Sequence, residues 1–151
     1  MPTTTKGIVG KLHEIQTEGI EGVTKDSKNP HFRNSYISLG KLLGAVLPAL
    51  GAKELLLIQA PCLGTNDQPS LRTTIVDVTS GETVESEMPL MLERDNPQGL
   101  GSAITYARRY ALMTILGLVA DEDDDGEAAS PVRAREVVNV TPSGAPDKPL
   151  F

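Results

Sequence analysis

The chain has 151 residues with a formal net charge of −6, and its 39% hydrophobic and 23% charged residues are typical of one folded domain. Its single cysteine, Cys62, excludes an internal disulfide framework and a four-cysteine zinc site. The chain has no apolar run of the roughly 20 residues that span a membrane, and its first residues lack the apolar block of a signal peptide. We therefore expect a cytoplasmic protein.

The acidic charge is concentrated at the end of the chain. Residues 1–119 hold 11 Lys and Arg against 12 Asp and Glu, whereas residues 120–151 hold 3 against 8. The latter segment also carries four of the eleven prolines and one aromatic residue, Phe151. It has too few apolar side chains to offset the entropy of ordering. The sequence predicts a folded domain over 1–119, almost neutral, and a flexible acidic tail over 120–151, so the overall charge does not exclude a nucleic-acid partner.

The first half of the chain predicts two helices. Apolar residues recur at helical spacing over 8–15, and Gly19 is a suitable helix end. A second apolar pattern predicts a helix over 36–50, which begins after Ser35 or Ser38. Pro48 lies inside that pattern, so we expect its last turn to be kinked or lost.

A polar, basic segment separates these helices. Its sequence, VTKDSKNPHFRNSY, predicts a loop or an irregular hairpin. Lys25, Lys28 and Arg33 outweigh its one acid, Asp26, and Tyr36 ends the segment. Cations interleaved with aromatic rings suit a nucleic-acid contact, although a solvated loop has the same composition.

The middle of the chain predicts three strands. Residues 54–60, ELLLIQA, form a short continuous apolar run, which indicates a buried strand. Residues 61–70 are turn-forming residues. Two further strand patterns over 71–78 and 83–92 flank the turn residues 79–82, which predicts a hairpin.

A long helix is predicted over 97–118, with Asn96 as its cap and Pro97 at its first position. One apolar stripe follows its length: Leu100, Ala103, Ile104, Ala107, Ala111, Ile115 and Leu118. Tyr106 and Tyr110 flank one edge of the stripe, Arg108 flanks the other, and Arg109 lies opposite.

Beyond residue 110 this helix is apolar on every side. Leu112, Met113 and Leu116 lie opposite the stripe. A helix that is apolar all round is buried on both sides. In a domain this small we expect the second cover to come from a neighbouring subunit, so these three residues are predicted to form an oligomer interface.

Two segments together resemble one protein family. The run GSAITYARRYALMTILGL, followed by an acid cluster, resembles the signature of ERF-type (essential recombination function) single-strand annealing proteins of bacteriophages. The residues Lys28, Asn29, Phe32 and Tyr36 are similar to that family's N-terminal block. The resemblance covers about residues 8–126, and the chain is short for the family.

The resemblance implies both fold and activity. It implies a β-sheet with a helix laid across it, which agrees with the order β-β-β-α over 54–118, so we expect an α+β fold with a short antiparallel sheet and two preceding helices. It also implies binding of single-stranded DNA, pairing of complementary strands without ATP or another cofactor, and assembly into rings or helical filaments. The predicted DNA-binding residues are Lys25, Lys28, Arg33, Tyr36, Tyr106, Arg108 and Arg109.

The acid cluster after the last helix leaves an enzymatic alternative open. Residues 121–126, DEDDDG, match the first positions of a calcium loop, but Val132 stands where a bidentate Glu is required. A metal-dependent nuclease or resolvase that uses these acids is the first alternative, and a structural oligomer that binds only protein is the second. The terminal residues Pro149, Leu150 and Phe151 faintly resemble the ends of host single-strand-binding proteins, which adds such a protein as a candidate partner.

Overall fold

The computed structural model describes residues 6–23, 27–28 and 35–119. Its elements are α1 (Ile8–Glu18), β1 (Ser27–Lys28), β2 (Ser35–Tyr36), α2 (Leu39–Ala52), β3 (Leu55–Leu63), β4 (Pro69–Asp77), β5 (Thr83–Pro89) and α3 (Pro97–Leu116). Strands β3, β4 and β5 form one antiparallel sheet, and β1 pairs with β2 in a separate ribbon. The expected α+β fold is therefore confirmed. The predicted acidic tail lies outside the described residues.

The central hairpin agrees with its sequence pattern, but the connection before it does not. Strand β3 continues to Leu63, and β4 begins at Pro69, so half of the predicted turn over 61–70 is strand. Pro61 is tolerated because β3 is an edge strand, where a missing N–H need not break the ladder. The true connection is short, and the Gly64 N–H closes it by donating to the Gln68 carbonyl oxygen at 2.8 Å.

Helix α2 begins later and ends later than its sequence pattern indicates. It starts at Leu39, with the Ser38 hydroxyl accepting from the Lys41 N–H at 3.3 Å, because Tyr36 belongs to β2. It also continues through Pro48 to Ala52, so the last turn, which we expected to be kinked or lost, is present. Pro48 and Gly44, whose carbonyl lies four residues before the proline, are both exposed, so water can take the place of the missing N–H. Val46 and Leu50 are fully buried and hold the helix in the core.

Helix α3 begins as its sequence indicates. Asn96 caps it by accepting from the Gly99 N–H at 2.7 Å, Pro97 is its first residue, and Gly117 ends it in the left-handed conformation. The N-terminal half of α3 packs on β4 and on the segment after β5 through Ala103, Ala107 and Leu71. Its C-terminal half packs in a larger cluster with α1 and α2.

That larger cluster overturns the predicted oligomer interface. Leu112, Met113 and Leu116 are 0%, 1% and 1% exposed in the single chain. Helices α1 and α2 of the same chain provide the cover that we had expected from a neighbouring subunit, through residues such as Ile15 and Leu42. These three side chains belong to the core and offer no surface to a second subunit.

The β4–β5 turn anchors α1. The Glu82 carboxylate accepts from the Ile8 N–H at 2.9 Å, which caps the helix, and a side chain at Gly7 would collide with that carboxylate. The Lys11 ammonium donates to the Asp77 carboxylate at 2.8 Å, and both residues are buried. This hydrogen bond is the main cause of the lowered pKa of the Asp77 carboxyl. The Thr79 N–H also donates to this carboxylate and lowers the pKa further.

Candidate nucleic-acid interface

Arg109 lies among three tyrosine rings on the outer side of α3. Its guanidinium carbon is 4.5 Å from the ring centre of Tyr36, 5.0 Å from that of Tyr110 and 5.8 Å from that of Tyr106. The Tyr106 and Tyr110 rings are four positions apart on α3, and their centres are 4.3 Å apart. Tyr36 comes from β2. We call these four residues the arginine–tyrosine cluster.

Among the described residues, the cluster surrounds the Arg109 cation with aromatic rings and not with carboxylates. Each ring centre lies within the roughly 6 Å over which a guanidinium is attracted to an aromatic ring. Across residues 6–23, 27–28 and 35–119, no carboxylate lies within ion-pair distance of Arg109. Within this part of the chain the charge of Arg109 faces aromatic rings, and a planar guanidinium is a group that binds phosphate oxygens well.

Arg108 has a different environment although it is adjacent in sequence. Its Nε donates to the Gln59 side-chain oxygen at 3.4 Å, on the side of α3 that faces the sheet. The Gln59 amide in turn donates to the Arg108 carbonyl oxygen at 3.0 Å and to the Thr73 hydroxyl at 3.1 Å. These bonds tie α3 to β3 and β4. The half-buried Arg108 side chain thus takes part in positioning the helix, and it does not join the arginine–tyrosine cluster.

Of the remaining predicted basic residues, the structure describes only Lys28. Lys28 lies in β1 and pairs with Ser35 of β2. Both residues belong to the basic segment, 23–36. Lys25 and Arg33 lie outside the described residues. The structure thus brings Tyr36, Tyr106 and Arg109 together and leaves Arg108 on the sheet side of the helix.

A hollow adjoins the cluster at the N-terminal end of α3. Its volume is about 650 Å³, and Tyr106 forms part of its wall. The opposite wall includes Met91 and Arg94, from the segment between β5 and α3. No local pattern selects these two residues, because their approach to α3 depends on the tertiary fold. Gln59 could have been selected from the sequence, because it and Glu54 are the two polar residues of the otherwise apolar run ELLLIQA.

Two other classes of site are absent from the described residues. Within 6–23, 27–28 and 35–119, no group of three or more His, Cys, Asp and Glu side chains could hold a metal ion. The acid cluster at 121–125 lies outside these ranges. Nor does the described part of the chain contain a helix that is long and apolar enough to cross a membrane.

The fold and the cluster define an α+β protein that presents an arginine among three aromatic rings on a helix packed across an antiparallel sheet. The model of the ERF superfamily matches residues 8–140, and the chain belongs to that superfamily. The members of this superfamily are generally single-strand annealing and recombination proteins. A comparison with curated proteins found no match, and neither did a comparison with solved structures.

Proposed function

We propose that this chain binds single-stranded DNA and anneals complementary strands without ATP during phage homologous recombination. The observation that carries the proposal is the arginine–tyrosine cluster, in which Tyr106 is exposed, the other three residues are half-buried, and α3 is joined to β2. An annealing protein must hold the sugar–phosphate backbone of one strand and leave base edges free for the second. A cation for the phosphate and aromatic faces for the sugars and bases supply those contacts.

Arg109 is the residue that we assign to a phosphate. Its planar guanidinium can donate two parallel hydrogen bonds to phosphate oxygens, and the three rings restrict its rotation before DNA arrives. Arg108 supports this arrangement because its bonds with Gln59 fix the helix against the sheet. Lys25, Lys28 and Arg33 are a second group of candidate DNA-binding cations, carried by the segment that ends at Tyr36.

One arginine per subunit gives weak binding, so we infer that the protein acts as a homo-oligomer, either a ring or a helical filament. Many linked subunits on one strand convert weak single contacts into strong total binding. The subunit interface does not include Leu112, Met113 or Leu116, because the chain itself buries them. A host single-strand-binding protein is a candidate partner, through the chain end at 149–151.

The test is an annealing assay with complementary oligonucleotides that carry a donor and an acceptor dye, in buffer without nucleotide. We expect the protein to accelerate pairing over the spontaneous rate. Parallel incubation of labelled DNA with magnesium or manganese tests the nuclease alternative, and cleavage without annealing would replace our proposal with it. Size-exclusion chromatography with single-stranded DNA tests the alternative that the oligomer binds only protein, which predicts no shift of the protein peak.

A further inference from the structure

We propose that the hollow beside Tyr106 receives one nucleobase of the bound strand in each subunit. This inference rests on the proposed function and adds a base-binding site to the phosphate contact at Arg109. We call the hollow the base pocket. Its walls are α3, through Gln98, Ser102 and Tyr106, and the segment after β5, through Met91, Glu93 and Arg94.

The base pocket exposes surface that a planar base would cover. Tyr106 is 55% exposed, although it is aromatic, and Met91 is 77% exposed. The lining combines these two large side chains with the small residues Gly99, Ser102 and Ala103, which leave the space of about 650 Å³ open. Stacking on an aromatic side chain is the general way in which proteins hold a base of any sequence.

The base pocket is held open by the way its two walls are joined. A side chain at Gly99 would collide with the backbone carbonyl of Arg94, so the segment before α3 can lie against the first helical turn only because residue 99 is glycine. The Asn96 side chain secures the same turn by accepting from the Gly99 N–H at 2.7 Å. The wall that carries Met91 and Arg94 is therefore placed opposite α3 before any ligand binds.

The charges of the base pocket favour a base over a phosphate. Arg94 and Glu93 both line it, so a phosphate there would meet a carboxylate as well as a guanidinium. A base is uncharged and carries donors and acceptors on its edges. Stacking on the Tyr106 ring covers the face of the base, so its pairing edge stays free for the second strand. The guanidinium carbon of Arg109 lies beyond Tyr106, 5.8 Å from its ring centre, so one nucleotide can place its base in the pocket and its phosphate near Arg109.

The test compares an oligothymidine with an abasic strand of equal length, which keeps every phosphate and lacks every base. We expect the wild-type protein to bind the oligothymidine roughly tenfold more tightly, with equal salt dependence for both strands. Ser102→Leu, which fills the base pocket from an exposed helix position, should remove most of that preference and leave the affinity for the abasic strand unchanged. Thr114→Leu, at an exposed position near the other end of α3, is the matched control and should keep the preference.

Met91→Ala provides a second variant at an exposed side chain, and a partial loss of the preference supports the inference. No base occupies the pocket if Ser102→Leu and Met91→Ala both keep the full preference for oligothymidine. The same conclusion follows if these variants lose affinity for the oligothymidine and the abasic strand equally. The proposed function survives either result because the wild-type protein still binds DNA. If the wild-type protein binds neither strand, the proposed function itself is wrong.

Discussion

The guanidinium carbon of Arg109 lies 4.5 Å from the ring centre of Tyr36, and this contact joins α3 to the strand that ends the basic segment. The two segments that carry the family resemblance are far apart in sequence and meet at this point. Arg109 is therefore held from two elements, and a change on either side should alter how it meets a phosphate.

We expect Arg109→Ala to weaken binding of single-stranded DNA and to lower the slope of log affinity against log salt by about one unit, because one phosphate contact is lost. Arg109→Lys should keep the slope and still bind more weakly, since an ammonium lacks the planar fork of a guanidinium. Fluorescence anisotropy over a series of salt concentrations measures both quantities. Arg72→Ala is the control, because Arg72 is exposed and pairs with Glu87 at 2.6 Å. An unchanged slope in Arg109→Ala would remove Arg109 from the interface.

Tyr36→Ala should weaken DNA binding several-fold, because Arg109 loses the nearest of its three rings. Tyr36→Phe keeps the ring and should bind almost as tightly as the wild-type protein. The same anisotropy assay separates the two variants. Equal affinities for Tyr36→Ala and Tyr36→Phe would show that the ring does not position Arg109.

Gln59→Leu should destabilise the fold by roughly 2 kcal/mol, because it leaves the buried Thr73 hydroxyl without its partner and removes the bonds to Arg108. Urea denaturation followed by circular dichroism gives the free energy of unfolding. Gln68→Leu, at an exposed loop position, should change it by less than about 0.5 kcal/mol. A similar small change in Gln59→Leu would mean that the bonds between α3 and the sheet contribute little to stability.

The buried ion pair between Lys11 and Asp77 predicts a specific pH dependence. The pKa of the Asp77 carboxyl is lowered in the folded chain, chiefly by the Lys11 hydrogen bond. The ion pair therefore contributes its full stabilisation at pH values above about 3.9, the pKa of Asp in an unfolded chain. This stabilisation is lost as the pH falls through the lower pKa that Asp77 has in the folded chain. Denaturant titrations from pH 7 to pH 3 should show a loss of stability that begins near pH 4.

Lys11→Met should cost roughly 3 kcal/mol at pH 7, because it leaves the buried Asp77 charge without its cation. The deficit should shrink at acidic pH, where Asp77 becomes protonated. Lys6→Met removes an exposed ion pair with Glu14 and should cost less than about 1 kcal/mol. A deficit in Lys11→Met that is constant over this pH range would contradict the assignment to Asp77.

Local patterns predicted much of this fold. Residue spacing and turn chemistry depend on neighbouring residues. They predict the cap at Asn96, the start of α3 at Pro97 and the hairpin of β4 and β5. The strand that continues through Pro61 did not follow from its residues, because the tolerance of proline depends on β3 lying at the sheet edge.

The parts that were missed depend on contacts between distant segments. An apolar helix pattern shows that Leu112 and Met113 are buried, but it does not show whether another helix or another subunit buries them. Likewise, the pattern of α3 placed Tyr106 beside Arg109, whereas the approach of Tyr36 to that arginine is visible only in the fold.

The annealing rate of Arg109→Ala tests the central claim most directly, namely that the arginine–tyrosine cluster holds the strand for pairing. The assay mixes donor- and acceptor-labelled complementary strands with equal concentrations of the wild-type protein, Arg109→Ala or Arg72→Ala, without nucleotide and at fixed salt. We predict that the wild-type protein and Arg72→Ala accelerate annealing and that Arg109→Ala does so at least several-fold less. Equal acceleration by all three proteins would contradict the account.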